Sequence, residues 1–359
     1  MEKVYDIHVH YCLFDISLEE RVKLFEEEFA LTSTAKYSFL SLPHHADGEK
    51  VTFDSCQNLK GLFLKYKFSP NAYAFAGLEH PETHFDKATV ADNFLEQAER
   101  YMSVGFDGIK MLEGYPSLVK NWGLAIDDEV YHKFYAYMEK NGYPILIHLA
   151  NPRANWDLKS ASEHAVKAGR VYDESYPTKD ELTMQLFNVL KRFPNLKLIL
   201  AHFGFFSKEM QNAEKFLSYK NTLFDITPGG EQLIYMSENW QSWLPFWQKY
   251  SDRILYGSDF YAFPKDEKWK ENFTRRPYFI RNFLETNTRH DYVDGEICGV
   301  MMEKSLLSKV YRDNFEKTLG KPKSISLDYL SQTAKNLLKC VKADERRSKC
   351  DLEYILNNI

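Results

Sequence analysis

Short apolar segments alternate with longer amphipathic segments over most of the chain. Eight of the apolar segments are predicted to be strands, and most of these are rich in β-branched or aromatic residues and bounded by Gly, Pro, Asn or Asp. These features are typical of parallel strands that are buried on both faces. The eight predicted strands are Lys3–His10, Tyr37–Pro43, Ala72–Glu79, Asp107–Leu112, Pro144–Leu149, Leu196–His202, Thr222–Thr227 and Arg253–Asp259.

The amphipathic segments between these strands predict helices. Ser17, with Glu20 three residues later, has the signature of a capping box, and Ala88–Ser103 carries apolar residues at helical spacing. The other helical patterns are Asp128–Lys140, Thr178–Arg192, Lys208–Tyr219 and Glu231–Tyr250. A strand followed by a helix, repeated eight times, predicts an α/β fold of the (β/α)8 TIM-barrel type, in which helices surround a closed parallel sheet.

The chain after the eighth predicted strand is mostly helical in pattern. We predict a barrel domain over residues 1–320 and a C-terminal helical extension over residues 321–359. The extension would pack on the barrel or on a partner subunit, for example in a homodimer. The apolar residues that would make this contact are Leu327, Leu330, Leu337 and Leu338.

Composition and charge exclude several classes of function. The 359 residues are 44% hydrophobic and 27% charged, which is enough to form a core. The net charge is −5 and the basic residues are scattered, so we expect no nucleic-acid partner. We also expect no membrane association, because no apolar stretch of about 18 residues and no signal-peptide pattern is found. The five cysteines form no CxxC pair, which indicates a reduced, cytoplasmic protein.

Titratable residues end four of the eight predicted strands. His8 and His10 share one face of the first strand, because side chains alternate along a strand. His148 ends the fifth strand, His202 the sixth and Asp259 the eighth. In a barrel these strand ends meet at one mouth, and imidazole nitrogens with a carboxylate are the ligands of zinc and similar ions. The pattern therefore predicts a divalent-metal site.

The segments that carry these residues closely resemble the amidohydrolase superfamily. Within it, they are similar to the amidohydrolase-related subgroup that includes aminocarboxymuconate-semialdehyde decarboxylase. The resemblance spans nearly the whole chain, through Leu306–Leu319, which is similar to the closing helix of the family. The matching motifs are Asp6-Ile7-His8-Val9-His10, Ile147-His148, Leu200-Ala201-His202-Phe203-Gly204 and Tyr256-Gly257-Ser258-Asp259.

This resemblance implies a distorted barrel with metal at its C-terminal face. It assigns the ligand role to His8, His10, His148 and Asp259. It implies that His202 is either a ligand of a second metal or a catalytic group beside the metal-bound water. Zinc is the expected ion, manganese is the alternative, and one or two ions are expected.

Three further positions near the predicted mouth have open roles. Several binuclear relatives bridge two metals with a carboxylated lysine at the end of strand four. Lys110 lies near that place, and an ordinary lysine near substrate is the alternative. Glu113 is a candidate oxygen ligand for a second metal or a substrate contact. Asp225, at the end of the seventh strand, is a candidate to orient a ligand histidine.

The long segment from about residue 150 to residue 177 follows the fifth strand and would border the mouth as a lid or substrate wall. Arg153 could bind a substrate carboxylate with two hydrogen bonds, or it could be a surface arginine. Trp156 and Tyr172 could supply an apolar wall. We interpret other loop histidines as polar surface residues, with substrate contact as the alternative; these are His44, His45 and His80.

The first functional prediction is a metal-dependent hydrolase that acts on an amide, ester or lactone of a small polar molecule, which we expect to carry a carboxylate. The metal would activate a water, Asp259 would accept its proton, and His202 would polarise the carbonyl. The alternative is a non-oxidative, metal-dependent decarboxylase of a small carboxylic acid. A purely structural zinc site is disfavoured, because such sites are usually rich in cysteine and local in sequence.

Overall fold

A parallel sheet, closed into a barrel, forms the centre of the molecule. The computed structural model describes residues 1–12, 16–42, 56–80, 86–229, 232–262, 264–265, 268–292, 295–341 and 346–359. The strands of the sheet are β1 (Val4–His10), β2 (Thr34–Leu40), β3 (Ala72–Gly77), β4 (Gly108–Gly114), β5 (Ile145–Leu149), β6 (Leu198–Leu200), β7 (Thr222–Asp225), β8 (Ile254–Leu255) and β9 (Phe260–Tyr261). They follow one another in the order β8-β7-β6-β5-β4-β3-β2-β1-β9, and every pairing is parallel.

The barrel closes through an interrupted eighth strand. β8 pairs with β7, and after a break of four residues β9 pairs with β1, where His10 lies opposite Tyr261. Within the break, the backbone N–H of Ile7 in β1 donates to the carbonyl oxygen of Tyr256 at 3.1 Å. The predicted TIM barrel is therefore confirmed, although the eighth strand is split where a continuous strand was predicted.

Helices surround the barrel. Their bounds are α1 (Leu18–Thr32), α2 (Gln57–Lys67), α3 (Lys87–Val104), α4 (Pro116–Trp122), α5 (His132–Asn141), α6 (Glu163–Lys167), α7 (Lys179–Arg192), α8 (Met210–Leu217), α9 (Gln232–Glu238), α10 (Trp240–Tyr250), α11 (Trp269–Glu285), α12 (Lys304–Ser308), α13 (Asn314–Leu319), α14 (Leu327–Cys340) and α15 (Arg346–Asn357). A two-stranded hairpin, β10 (Arg289–Tyr292) and β11 (Gly295–Cys298), follows α11. Among the described residues, we find no helix with the length and apolarity needed to cross a bilayer.

Apolar side chains fill the barrel on the side away from the strand ends. Ile7, Phe75 and Leu146 belong to this inner cluster, and Phe315 from α13 joins it. The ring of Phe315 packs edge-on against Tyr73, near the start of β3, at 5.0 Å between centroids. α13 therefore covers the end where the strands begin, and the polar residues at the strand ends lie at the other.

The two C-terminal helices pack on the first two helices of the barrel. Leu352 and Ile355 of α15 are fully buried in the main core. The carboxylate of Asp351 accepts a hydrogen bond from the backbone N–H of Leu18 at 2.8 Å and pairs with Lys60 of α2 at 2.7 Å. The extension thus holds the start of α1 and the body of α2 together.

Candidate metal centre

The end of β1 and the break in the eighth strand bring three candidate ligands together. His8, His10 and Asp259 are buried, and one donor atom from each lies within 4.8 Å of the others. The Nε2 atoms of the two histidines are 3.0 Å apart, and each is 3.6 Å from Oδ1 of Asp259. In the part of the chain that the structure describes, this is the single cluster of its kind.

Hydrogen bonds fix which nitrogen of each imidazole carries the proton. Nδ1 of His8 lies 2.8 Å from Oδ2 of Asp225, and Nδ1 of His10 lies 3.2 Å from the carbonyl oxygen of Leu40. Both partners are acceptors, so each Nδ1 carries a proton and donates it, which leaves the two Nε2 atoms facing each other. At 3.0 Å the two Nε2 atoms share either a proton or a metal ion, because two unprotonated nitrogens would repel at this distance.

The distances fit such a metal ion. In the plane of the two Nε2 atoms and Oδ1 of Asp259, the point equidistant from all three atoms lies about 2.0 Å from each of them. Bonds from zinc to histidine nitrogen or carboxylate oxygen are about 2.0–2.2 Å long. The donor set and its geometry therefore fit a divalent metal ion.

Asp225 positions two of the histidines at once. Its Oδ2 accepts the bond from His8, and its Oδ1 accepts the backbone N–H of His202 at 2.8 Å and the hydroxyl of Thr227 at 2.5 Å. Burial alone would raise the pKa of this carboxyl, but the neighbouring His8 and these hydrogen bonds outweigh it and lower the pKa. Asp225 is therefore ionised and accepts from the ligand histidine, the contact expected from the sequence.

His148 and His202 lie beside the three candidate ligands. The ring centroid of His202 is 5.3 Å from that of His8 and 4.9 Å from that of His148. Burial, with the positive charges nearby, lowers the pKa of His148 well below its usual value, and burial lowers the pKa of His202 to about 4. Both imidazoles are therefore neutral at pH 7, the form that binds metal. His148 does not join the cluster of three, so its ligand role stays a prediction.

Three buried polar atoms around this mouth have no hydrogen-bond partner among the described residues. They are Nε2 of His148, Nδ1 of His202 and Oδ1 of Asp259. Buried polar groups in folded proteins are nearly always hydrogen-bonded, because an unpaired one costs its full desolvation energy. These three atoms can therefore bind an ion or a polar ligand at the candidate centre.

Left-handed backbone aims the side chains of His202 and Asp259. Asp259 has φ 52° in the break of the eighth strand, and His202 has φ 53° in the turn after β6. The sixth strand was predicted to continue to His202, but it ends at Leu200, and this turn follows it. Such conformations cost non-glycine residues about 1–3 kcal/mol, and they cluster at functional sites.

Asp6 fastens the break in the eighth strand to β1. Its carboxylate accepts the backbone N–H of Ser258 at 3.0 Å, the hydroxyl of Ser258 at 2.5 Å and the backbone N–H of His8 at 2.9 Å. Burial raises the pKa of Asp6 to about 7 in spite of these bonds. Because Ser258 precedes Asp259, this contact holds the Asp259 carboxylate next to the histidines of β1.

Arg276 in α11 is a member of the site that the sequence did not reveal. Its Nη1 donates to the backbone carbonyl and to Oδ2 of Asp259. Burial alone would raise the pKa of the Asp259 carboxyl, but the charge of Arg276 and the nearby His8 hold this pKa well below its usual value. The oxygen that was expected to accept a proton from water is therefore occupied by a guanidinium.

Lys110 and Glu113 face different surroundings although both lie on β4. Lys110 is buried, and burial lowers the pKa of its amine to about 8, although the charges of Asp225, Asp259 and Glu113 act in the opposite direction. Oε1 of Glu113 lies 2.8 Å from Nε2 of His80. Lys110 therefore lies within electrostatic reach of the candidate centre, and Glu113 is outside the three-ligand cluster.

The interpretation of His80 as a surface residue was wrong. His80 is buried, and its ring stacks on Trp122 with 3.6 Å between centroids. Its ring also contacts Phe94 of α3, so packing against two helices, which the sequence does not show, buries this residue. His44 and His45 lie outside the described residues.

The loop after β5 forms its own network of contacts. Arg153 donates four hydrogen bonds, two to Asp180 and two to Glu209, and these leave no pair of N–H groups for a substrate carboxylate. The rings of Trp156 and Tyr172 pack together at 4.9 Å between centroids. Trp156 and Tyr172, the two predicted wall residues, are therefore in contact with each other. Arg153, the predicted carboxylate anchor, is paired with Asp180 and Glu209 instead.

Comparisons with known proteins agree with this fold. The model of the amidohydrolase family matches residues 65–292, more than half of the chain. No curated protein sequence matches. A similar solved structure is a TIM-barrel protein from Bordetella bronchiseptica, with 12% identity and a TM-score of 0.56 over 89% of this chain and 98% of that one.

Two decarboxylases are also among the similar structures. The 2,6-dihydroxybenzoate decarboxylase from Rhizobium has 15% identity and a TM-score of 0.54 over 89% of this chain and 99% of that one. A dihydroxybenzoic acid decarboxylase from Polaromonas sp. JS666, with bound manganese, has 13% identity and a TM-score of 0.52 over 89% and 97%. At these identities the likeness shows the fold, and the family match confirms the resemblance found in the sequence.

Proposed function

The chain belongs to the amidohydrolase family, and we propose that within this family it is a metal-dependent decarboxylase that releases carbon dioxide from a small carboxylic acid without an oxidant. The observation that carries the proposal is the pairing of Asp259 with Arg276. Hydrolysis of an amide, ester or lactone, the first prediction from the sequence, is the second candidate, because the same ligands could also activate water.

Hydrolysis requires a base that accepts a proton from water, and the site offers weak ones. Asp259 and Asp225 both have pKa values below the usual range for a carboxyl, although burial opposes this. Oδ2 of Asp259 is bonded to Arg276, and both oxygens of Asp225 accept hydrogen bonds. A carboxylate with a lowered pKa accepts a proton less readily, so this arrangement disfavours hydrolysis.

Decarboxylation instead requires an acid, and Lys110 is a buried amine on β4 that lies within electrostatic reach of the candidate centre. Burial lowers the pKa of its amine to about 8, so the amine is mostly protonated at pH 7 and still able to give up its proton. When the carbon–carbon bond to the carboxylate breaks, the electron pair stays on the remaining carbon. In the proposal, Lys110 donates a proton from Nζ to this carbon, and the amine regains a proton from solvent.

His8, His10 and Asp259 would hold the ion, with His148 as the fourth ligand that the sequence predicts. A divalent ion bound there would supply a positive charge that orients the substrate carboxylate. His202 stays neutral and lies next to His8, where it can hydrogen-bond to the substrate. The manganese of the Polaromonas decarboxylase supports manganese beside zinc as the ion.

The test is product analysis with the zinc- or manganese-loaded protein. Hydroxybenzoates that carry a 13C-labelled carboxylate, and a set of amides, esters and lactones, are incubated separately in D2O. We expect labelled carbon dioxide and one deuterium on the carbon that lost the carboxylate. Lys110→Met should retain the metal and lose this activity, and Lys140→Met, at an exposed lysine, should behave as wild type. Cleavage of an amide, ester or lactone without any release of carbon dioxide would instead establish the hydrolase.

A further inference from the structure

The guanidinium of Arg276 reaches the candidate metal centre from α11, outside the barrel. Its side chain is 29% exposed, whereas that of Asp259 is 6% exposed. Arg276 therefore lies at the boundary between the buried centre and solvent.

One nitrogen of Arg276 makes both of its bonds to Asp259. Nη1 donates to the backbone carbonyl and to Oδ2 of Asp259, and within the described residues no hydrogen bond is made by Nε or Nη2. These two nitrogens form the edge of the guanidinium that binds a carboxylate with two parallel hydrogen bonds. Arg153 differs from Arg276, because four of its N–H groups donate hydrogen bonds to Asp180 and Glu209.

The guanidinium of Arg276 also makes a cation–π contact with Tyr261. Its central carbon lies 5.4 Å from the ring centroid of Tyr261, and the ring of Tyr261 stacks on His10 at 5.1 Å with 17° between the planes. An anion bound to Arg276 therefore lies beside two candidate metal ligands, His10 and Asp259. Lys110 is buried and interacts electrostatically with Asp259, so its amine adds a second positive charge to the same region.

We propose that Arg276 forms a carboxylate-binding subsite beside the metal centre, with Nη1 kept on Asp259 and the Nε–Nη2 edge presented to the carboxylate of the substrate. The inference rests on the proposed function only in taking the substrate to be a carboxylic acid. Holding Asp259 in place needs one nitrogen, which a lysine could supply. An arginine also has a second edge, formed by Nε and Nη2, and in the proposed subsite this edge binds the substrate carboxylate.

The experiment is a 19F NMR titration of the zinc-loaded protein with 4-fluorobenzoate and with 4-fluorobenzyl alcohol, a neutral compound of similar shape. Neither compound needs to be turned over. In Arg276→Met we expect affinity for 4-fluorobenzoate to fall roughly 10- to 100-fold, the usual loss of hydrogen bonds to a charged group, with affinity for the alcohol unchanged. Arg276→Lys should recover only part of the loss. The matched control is Arg275→Met, at the exposed neighbour in α11, which should bind both compounds as wild type does.

The metal content of every variant is measured in parallel. If Arg276→Met loses zinc, the comparison rests on Arg276→Lys, which keeps a charge beside Asp259. The subsite is rejected if wild type does not bind 4-fluorobenzoate, or if the zinc-loaded Arg276→Lys or Arg276→Met protein binds it as tightly as wild type does. Arg276-dependent binding without carbon dioxide release would reject only the proposed reaction, and release with unchanged benzoate binding would reject only the subsite.

Discussion

Lys110 is buried with a charged amine, and the effect of this charge on the free energy of unfolding can be measured. Burial lowers the pKa of its amine from 10.5 to about 8. Each unit of pKa corresponds to 1.36 kcal/mol, so the charged amine lowers the free energy of unfolding by roughly 3 kcal/mol relative to a neutral side chain. Between about pH 8 and pH 10.5 the unfolded chain binds more protons at this position than the folded chain, and stability therefore rises with pH.

The comparison that isolates this effect is urea unfolding of the metal-free wild type and of Lys110→Met, measured from pH 7 to pH 10.5. At pH 7 we expect Lys110→Met to gain up to about 3 kcal/mol, because it buries no charge. The gain should shrink as pH rises through 8, since the wild-type amine then loses its proton. Lys140→Met, at an exposed site, should show no such trend. A stability difference between Lys110→Met and wild type that is independent of pH would show that the amine of Lys110 does not titrate with a lowered pKa in the folded protein.

Three further substitutions test contacts at the metal centre, in the loop after β5 and in the C-terminal extension. Asp225→Asn, which weakens the bond that orients His8, should lower metal affinity about 10- to 100-fold in a chelator competition assay, and unchanged affinity would contradict its role. Arg153→Ala should change the free energy of unfolding by about 1 kcal/mol or less, because its ion pair with Asp180 is exposed, and should leave the KM as it is; a large rise in KM would restore it as a substrate anchor. Asp351→Ala removes a buried carboxylate that accepts a hydrogen bond from Leu18 and pairs with Lys60, and it should lower the free energy of unfolding in urea by about 1–3 kcal/mol, whereas an unchanged free energy would show that these contacts do not stabilise the fold.

The fold could be predicted because its signals are local. Apolar strands with turn residues at their ends, and helices with capping residues, recur in order along the chain. Ser17 accepts a hydrogen bond from the backbone N–H of Glu20 as its pattern suggested, and Thr178 with Glu181 forms a complete capping box. The break between β8 and β9 was not predictable, because it depends on Asp6, which is 252 residues from its partner Ser258.

The site was predictable to the extent that it follows from the strand ends. His8, His10 and Asp259 lie together because parallel strands of a barrel end at one mouth. Arg276 was not predictable, because it lies in a helix next to Arg275 and the sequence does not distinguish the two. Only the packing of α11 against β9 directs one of them to Asp259.

Contacts between distant segments also explain why the partners of Glu113 and Arg153 were not predicted. Glu113 pairs with His80, and Arg153 pairs with Asp180, through contacts between segments that are 33 and 27 residues apart. Sequence spacing shows that such residues are near a strand end or within a loop. It does not show which of several available partners each side chain takes.

Both candidate reactions depend on a divalent-metal centre made by His8, His10 and Asp259. The most direct test is elemental analysis of metal per chain, on wild type and on Asp259→Ala prepared side by side, with Asp252→Ala as the control at a half-exposed aspartate. We predict about one zinc or manganese ion per wild-type and control chain and its loss in Asp259→Ala. A wild-type protein that holds no metal after reconstitution, or an Asp259→Ala protein that keeps its ion, would contradict a metal centre at these three residues.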